Sequence, residues 1–148
     1  MAEGLQSRVG AIASRELRIA NQIEEIERVA ALVDEFGEQN RISNEILVAV
    51  NVSLDEVINN IISYGYEDSG HHDIVVRLSL LKGASVEVIV EDDGKPFNPL
   101  SVPAPDLRVK PRQIGGVGLH FVRKLMDHLE YARCGEINQL RLTKSIKE

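Results

Sequence analysis

The chain of 148 residues has a single cysteine, Cys134, no tryptophan and only 4% aromatic residues. One cysteine cannot form a disulfide within the chain, so nothing in the sequence indicates an oxidising compartment. The N-terminus lacks the basic and then apolar order of a signal peptide, and no apolar run approaches the length of a membrane span. These absences predict a soluble cytoplasmic protein.

Positive charge is also scarce, with 17 basic residues against 23 acidic ones and a net charge of −6. Nucleic-acid-binding proteins need basic stripes, so this balance argues against nucleic acid as the main partner. The apolar content of 43% is ordinary for a globular chain, and the length suffices for one domain with a core. We expect one domain over residues 15–148, after a weakly ordered arm of residues 1–14.

Proline is confined to one segment, because all five prolines lie between residues 96 and 111. A segment of about twenty residues without a hydrophobic period is unusual inside a compact domain and is typical of a lid. Residues 95–114 carry four basic residues and one acid, and glycines follow at residues 115, 116 and 118. Basic side chains before glycine amides at a helix start suit a phosphate. We expect a lid over residues 95–114.

Hydrophobic periodicity predicts the order strand, two helices, two strands, lid, helix, two strands. Asn21 is expected to cap the first helix, with Glu24 as its capping-box partner. Strands grouped in hairpins, with helices in runs between them, predict an α+β fold. We expect a two-layer sandwich in which helices cover one face of a mixed, mainly antiparallel sheet. The predicted strands are 16–20, 74–81, 86–90, 131–134 and 139–146, and the predicted helices are 21–40, 43–65 and 115–129.

The second helix has two unlike faces. One is an apolar stripe, and the other holds small and polar residues, among them Ala49, Ser53, Glu56 and Asn60. A face turned to solvent would normally carry lysine, glutamate and arginine. Small residues around one carboxylate and one carboxamide suit a cavity, although a solvent-facing side stays open as the alternative.

The inward row of the second hairpin strand ends on Asp92. A carboxylate in a core-facing position is costly unless something pairs with it. Two interpretations stay open: an aspartate that begins a turn, as Asp-Asp-Gly often does, or an acceptor directed at a ligand.

Several glycine and nucleophile motifs are excluded. A Walker loop fails because Gly94-Lys95 is followed by Pro96, and a dinucleotide fingerprint fails because Phe121 stands where its third glycine belongs. The chain has no G-x-S-x-G elbow, and its four histidines are not spaced as a metal set.

The remaining motifs together resemble the Bergerat-fold ATPases, the superfamily of gyrase, heat-shock-90 and the histidine kinases. Their order is E-x-x-x-N on a helix, D-x-G after a strand and G-x-G at a helix start. Within that superfamily the segments LDEVINNIISYGY, DDGKPFNP and GGVGL, at residues 54–66, 92–99 and 115–119, are similar to those of the anti-sigma-factor serine/threonine kinases. The resemblance covers about residues 15–146.

The resemblance implies a role for each motif residue. Glu56 matches the general base for the acceptor hydroxyl, and Asn60 matches the asparagine that holds Mg²⁺ between the phosphates of ATP or ADP. Asp92 matches the aspartate that accepts from the adenine amino group, with Gly94 beside it. The residues that match the phosphate-binding turn are Gly115, Gly116, Val117, Gly118 and Leu119.

A second pair, Asp55 and Asn59, has the same spacing one residue earlier. On a helical wheel this pair lies nearer the flank of the polar face, so we prefer Glu56 and Asn60.

The resemblance further implies an ATP-dependent serine/threonine kinase that acts as an anti-sigma-factor-type regulator of transcription. Its implied partners are a small anti-anti-sigma-type protein that is phosphorylated and a sigma factor or other output protein, and a homodimer is expected by resemblance alone. The alternative is a nucleotide-sensing interaction module with little phosphotransfer. A fragment that serves a separate histidine kinase and an α+β domain without ligand rank below both.

Overall fold

The computed structural model describes residues 10–82, 85–101 and 116–146. Within these ranges the chain forms strands, helices and two short 3-10 turns at Ile23–Glu25 and Pro99–Ser101. The strands and helices are β1 (Ala11–Ala20), α1 (Ile26–Gln39), α2 (Asn44–Tyr64), β2 (Asp73–Leu81), β3 (Ser85–Asp92), α3 (Gly116–Leu125), β4 (His128–Cys134) and β5 (Ile137–Ser145).

The strands form one sheet in the order β1-β2-β3-β5-β4. The predicted α+β class is confirmed, but the expectation of a mixed sheet is wrong, because all four described pairings are antiparallel. The closing hairpin places β5 beside β3, and this register sets Asp92 opposite Asn138. The carboxyl end of β3 and the start of β5 therefore meet at one edge of the domain.

β1 begins at Ala11, five residues before the predicted strand. It pairs with β2 from Ala11 opposite Leu81 to Ala20 opposite Asp73. The expected weakly ordered arm is therefore wrong for residues 11–14, while residues 1–9 lie outside the described ranges. The alanines and serine of this stretch show no alternation, but ladder hydrogen bonds need only the backbone.

Asn21 was predicted to cap the first helix, but it does not. Its side-chain oxygen accepts from the backbone N–H of His72 at 3.0 Å, and its amide donates to the carbonyl of Gly70 at 3.2 Å. The carboxylate of Glu25 instead accepts from the backbone N–H of Ala20. Asn21 therefore joins the end of β1 to the loop before β2.

α2 lies in the centre of the helical layer. Ser43 caps it as predicted, by accepting from the N–H of Ile46. By length and hydropathy α2 could span a membrane, since its mean hydropathy is 1.4, so the expectation that no apolar segment approaches that length is wrong. Core helices of globular domains share this property, and the apolar stripe of α2 packs into the core. The stripe's buried residues are Val50, Leu54, Val57 and Ile58.

One hydrophobic core fills the space between the helices and the sheet. The inward rows of β2 and β3 alternate as predicted, with Ile74, Val76 and Leu78 on one strand and Val88 and Val90 on the other. Asp92 stands next in the row of β3, where the core gives way to a cleft.

Ile58 tests the orientation of α2. The side chain is fully buried, so Ile58→Ala should lower the free energy of unfolding by about 2–5 kcal/mol and Ile58→Val by about 0.5–1.5 kcal/mol. Val48 on the same helix is 51% exposed, so Val48→Ala should change the free energy of unfolding by less than about 0.5 kcal/mol. Urea unfolding measures both, and equal losses at the two positions would contradict the orientation.

Candidate functional site

A cleft opens between α2, α3, the end of β3 and the start of β5, and the space inside it, together with the solvent at its mouth, is about 660 Å³. Its walls are largely apolar, and a few polar groups point into it, which is the usual composition of a small-molecule site. Residues that line it include Val57, Asn60, Asp92, Phe97, Leu119 and Leu140.

α2 contributes Asn60 and Glu56, one turn apart, to the site. Asn60 lines the cleft, and its Nδ2 is buried without a hydrogen-bond acceptor among the described residues. On the same face, nearer the start of α2, Ala49 and Ser53 are buried rather than solvated. The small and polar face of α2 is therefore packed inward, as a cavity-facing side would be.

Asp55 and Asn59, the alternative pair, do not face the cleft. Asp55 is exposed and lines a shallow groove between α1 and α2. Asn59 donates its side-chain amide to the carbonyl of Asp55 at 2.8 Å. Of the two pairs, Asn60 lines the cleft and Glu56 contacts α3 at Gly118.

The carboxylate of Glu56 lies against the first turns of α3. A Cβ built on Gly118 would come within 1.9 Å of Glu56 Oε2, so α3 can approach this closely because residue 118 is glycine. Gly116 and Val117 lie in the first turn of α3, and Leu119 is buried in the cleft wall. Gly115 and the predicted lid beyond residue 101 lie outside the described ranges.

Asp92 is 6% exposed. It lies at the end of the cleft where the sheet forms the wall. Its Oδ1 accepts from the backbone N–H of Gly94 at 2.8 Å and from Nδ2 of Asn138 at 3.1 Å. Burial raises the pKa of Asp92, while these two hydrogen bonds and the Arg133 guanidinium lower it. Asp92 thus begins a turn, as one interpretation predicted, and it also faces the cleft. Its role as an acceptor for a ligand stays a prediction.

The β4–β5 hairpin supplies three residues that the sequence analysis missed. Asn138 also donates to the carbonyl of Lys95 at 2.9 Å, and its own Oδ1 accepts from the hydroxyl of Tyr131. Arg133 donates to the carbonyl of Gly94 at 2.7 Å. One signal was present: Asn138 interrupts the inward apolar row of β5, as Asp92 does in β3.

The end of α2 touches the turn that follows β3. The backbone N–H of Lys95 donates to the carbonyl of Gly65 at 2.8 Å. A Cβ on Gly94 would lie 2.7 Å from that carbonyl oxygen and 2.9 Å from Asp92 Oδ1. Gly94 is therefore the residue that lets the helix end and the turn meet.

A charged cluster borders this turn. His72 contacts the carboxylates of Asp68 and Asp93 through its two ring nitrogens, at 2.9 and 3.0 Å, and its ring stacks on Tyr66. The hydrogen bond with Asp68, and then the one with Asp93, raise the pKa of His72 although burial lowers it. The cluster connects the loop after α2 to the residue that follows Asp92.

Comparison with known protein families matches residues 19–144 to the histidine kinase-like ATPase domain. The chain belongs to this family. The resemblance to the Bergerat-fold ATPases is therefore confirmed, and with it the class of kinase-like, nucleotide-binding ATPase domains.

The chain is also similar to individual proteins. It is 29% identical over 108 residues to the serine/threonine-protein kinase BtrW of Bordetella bronchiseptica. The matched segment covers 71% of this chain and 75% of BtrW. A structure of the RsbU and RsbW domains of a Mycobacterium tuberculosis protein shares the fold, with a TM-score of 0.64 and 17% identity over 90% of this chain. This chain spans 33% of that protein's length.

The histidine kinase domain of a blue-light activated kinase from Erythrobacter litoralis also shares the fold. Its TM-score is 0.55 and its identity 18%, over 84% of this chain and 60% of the other.

Gly94→Ala tests the contact between α2 and the turn. It should lower the free energy of unfolding by about 1–3 kcal/mol, because the atom nearest to the added methyl group is a backbone oxygen that cannot swing aside. At Gly70 the nearest atom is the flexible carboxylate of Asp68, so Gly70→Ala is the matched control. Thermal unfolding compares the two, and an equal loss would show that the contact with Gly65 matters little.

His72 should make stability depend on pH. Its folded pKa is raised, so its contribution is fully present below the ordinary value of 6.5 and is lost as the pH rises through the folded value. The melting temperature of the wild type should therefore fall relative to that of His72→Gln as the pH rises above the ordinary histidine pKa of 6.5. His120→Gln on α3 is the control, and the prediction fails if both variants follow the wild type in parallel.

Proposed function

We propose that the chain is an ATP-dependent serine/threonine protein kinase of the anti-sigma-factor type, which phosphorylates a small anti-anti-sigma-like partner. The observation that carries the proposal is the placement of Asn60 in a cleft whose far end holds Asp92, with Glu56 one turn before Asn60 on α2 and against Gly118 of α3. Membership of the histidine kinase-like ATPase family supports ATP as the ligand, and the similarity to BtrW supports a serine or threonine as the acceptor.

ATP would lie with its base at the sheet and its phosphates at α2 and α3. The free Oδ2 of Asp92 would accept from the adenine amino group, and apolar walls such as Leu119 and Leu140 would contact the ring. Gly116 to Leu119, with Gly115 before them, would supply backbone N–H groups to the phosphates, since a helix N-terminus favours negative charge.

The residues present also fit Mg²⁺. Asn60 offers a carboxamide oxygen as ligand, and its buried Nδ2, unmatched among the described residues, can donate to a phosphate oxygen. Mg²⁺ is commonly held by one or two protein oxygens together with substrate phosphates, and it would neutralise phosphate charge there.

Glu56 would act as the general base. Its carboxylate would accept the proton of the partner's hydroxyl as that oxygen forms a bond to the γ-phosphorus. The bond from the γ-phosphorus to the β–γ bridging oxygen would break, and ADP would leave. Phosphoryl transfer depends mostly on positioning and charge stabilisation, which suits a site with one base and a packed, largely apolar wall.

A second candidate is a nucleotide-sensing module that binds a regulatory partner with little transfer. The contact between Glu56 and Gly118 favours it, because α3 follows the proposed lid and a change at α3 could report the nucleotide to a partner. The sigma factor or other output protein and the homodimer remain predictions under both candidates.

The two candidates differ in one experiment. The purified chain is incubated with Mg²⁺, γ-labelled ATP and a soluble extract of the organism that encodes it. The kinase proposal expects one small protein labelled on serine or threonine, and a fall of about 100-fold or more in labelling by Glu56→Gln with ADP affinity retained. Glu45→Gln, exposed on the same helix, is the control and should label normally. A wild type that binds ADP and labels nothing would favour the sensing module.

A further inference from the structure

We propose that the groove between α1 and α2 is a docking site for a basic amphipathic helix of a partner protein. Apolar side chains of both helices line it, Ile26, Val29 and Ala30 on α1 and Val52 and Leu54 on α2. None of these residues lines the cleft that holds Asn60 and Asp92. The inference therefore goes beyond the proposed function and does not depend on whether a nucleotide binds.

Apolar side chains remain exposed along this groove. Val52 is 41% exposed in its wall, and Val48, one turn earlier on α2, is 51% exposed. Ile23, three residues before Ile26, is 57% exposed. Single exposed hydrophobic residues are ordinary on a protein surface. Three of them in the groove, or within one turn of it, indicate a contact surface.

The surface around the groove is acidic. Residues 21–66, which include α1 and α2, hold nine acidic and two basic residues, whereas the net charge of the whole chain is only −6. Asp55 lines the groove, and Asn51, also in its wall, donates to the carboxylate of Asp34 at 3.1 Å. Asp34, Asp55 and Glu27 are all exposed. A basic partner surface would complement these carboxylates.

The two basic residues of this segment do little to offset that charge. Arg28 lies 3.1 Å from the carboxylate of Glu25, so it is already paired. Arg41 follows the end of α1 and precedes α2. The carboxylates along the groove therefore set its electrostatic character.

The shape and charge of the groove favour one class of occupant. Its walls are helix side chains, and a helix presents no free backbone ladder to which an extended segment could pair. An amphipathic helix inserts apolar side chains at three- and four-residue spacing and keeps its charged side chains on the flanks. An anionic membrane or a nucleic acid would be repelled by the carboxylates, and a second copy of the same groove would meet like charge.

The groove and the cleft lie on different faces of α2. Val52 and Asp55 line the groove, whereas Val57 and Asn60 line the cleft. A helix docked in the groove would leave the cleft open. The same domain would then hold this partner while its cleft stays accessible.

The probe is a fluorescein-labelled peptide of about 18 residues made of leucine and lysine, with leucine at three- and four-residue spacing. A peptide of the same composition in scrambled order has the same charge but no apolar face. Fluorescence anisotropy near physiological ionic strength measures both dissociation constants. We expect the amphipathic peptide to bind the full chain at least about tenfold more tightly than the scrambled one.

Val52→Asp separates apolar contact from simple charge attraction. It removes an apolar side chain and adds a negative charge, so attraction by charge alone would make a cationic peptide bind more tightly. The proposal expects about tenfold weaker binding. Ile12→Asp makes the same kind of change on β1, where Ile12 is 65% exposed, and should bind as the wild type does. Ile23→Asp repeats the test if Val52→Asp does not fold.

Asp55→Asn tests the acidic side of the groove. It should weaken binding by about two- to fivefold and make it less sensitive to salt, because one attractive charge is lost. Glu136→Gln changes the net charge by the same amount in the exposed turn between β4 and β5. This control should keep the wild-type affinity and salt dependence.

The proposal is overturned if the scrambled peptide binds as tightly as the amphipathic one. It is also overturned if Val52→Asp and Ile23→Asp, both folded, bind the amphipathic peptide as the wild type does. A wild type that ignores the peptide but binds phosphatidylcholine vesicles, or that self-associates, with Val52→Asp abolishing either, would overturn it too. The groove would then take a lipid surface or a second copy of the chain.

Discussion

The candidate site depends on one contact between the two layers of the fold, the hydrogen bond from the N–H of Lys95 to the carbonyl of Gly65. It joins the end of α2 to the turn after β3, and it forms because Gly94 has no side chain in the way. Asn60 lies on one side of this contact and Asp92 on the other. Their separation is therefore set by backbone geometry rather than by flexible side chains.

The β4–β5 hairpin holds the same turn from the opposite side. Arg133 and Asn138 donate to the carbonyls of Gly94 and Lys95, so side chains of the hairpin hold the backbone of the turn. A buried carboxylate is tolerated at this point because it receives two hydrogen bonds and lies near a guanidinium. The sheet thus contributes a polar group to a mostly apolar cleft without leaving it unpaired.

Much of this arrangement could be predicted from single segments of the sequence. The faces of α2, the alternating rows of the β2–β3 hairpin and the inward position of Asp92 follow from periodicity, which is a local property. The choice of Glu56 and Asn60 over Asp55 and Asn59 also followed from a helical wheel. The roles of Gly94 and Asn138 needed more, because each depends on which residue lies across a contact between distant segments.

The wrong predictions about the start of β1 and the role of Asn21 also come from contacts between distant segments. β1 extends to Ala11 because its backbone pairs with β2, which small side chains do not reveal. Asn21 looked like a helix cap, but the loop before β2 offered its side chain other partners. In each case a tertiary contact replaced the local one that the sequence favoured.

Binding of an adenine nucleotide at Asp92 is the central claim, and calorimetric titration with ADP, with and without Mg²⁺, tests it most directly. The account predicts that the wild type binds, that Mg²⁺ tightens binding, and that Asp92→Asn lowers the affinity by about tenfold or more while the protein stays folded. Asp93→Asn, one residue further and exposed, should bind within a few-fold of the wild type. An Asp92→Asn protein that binds ADP as the wild type does, or a folded wild type that binds none, would contradict the account.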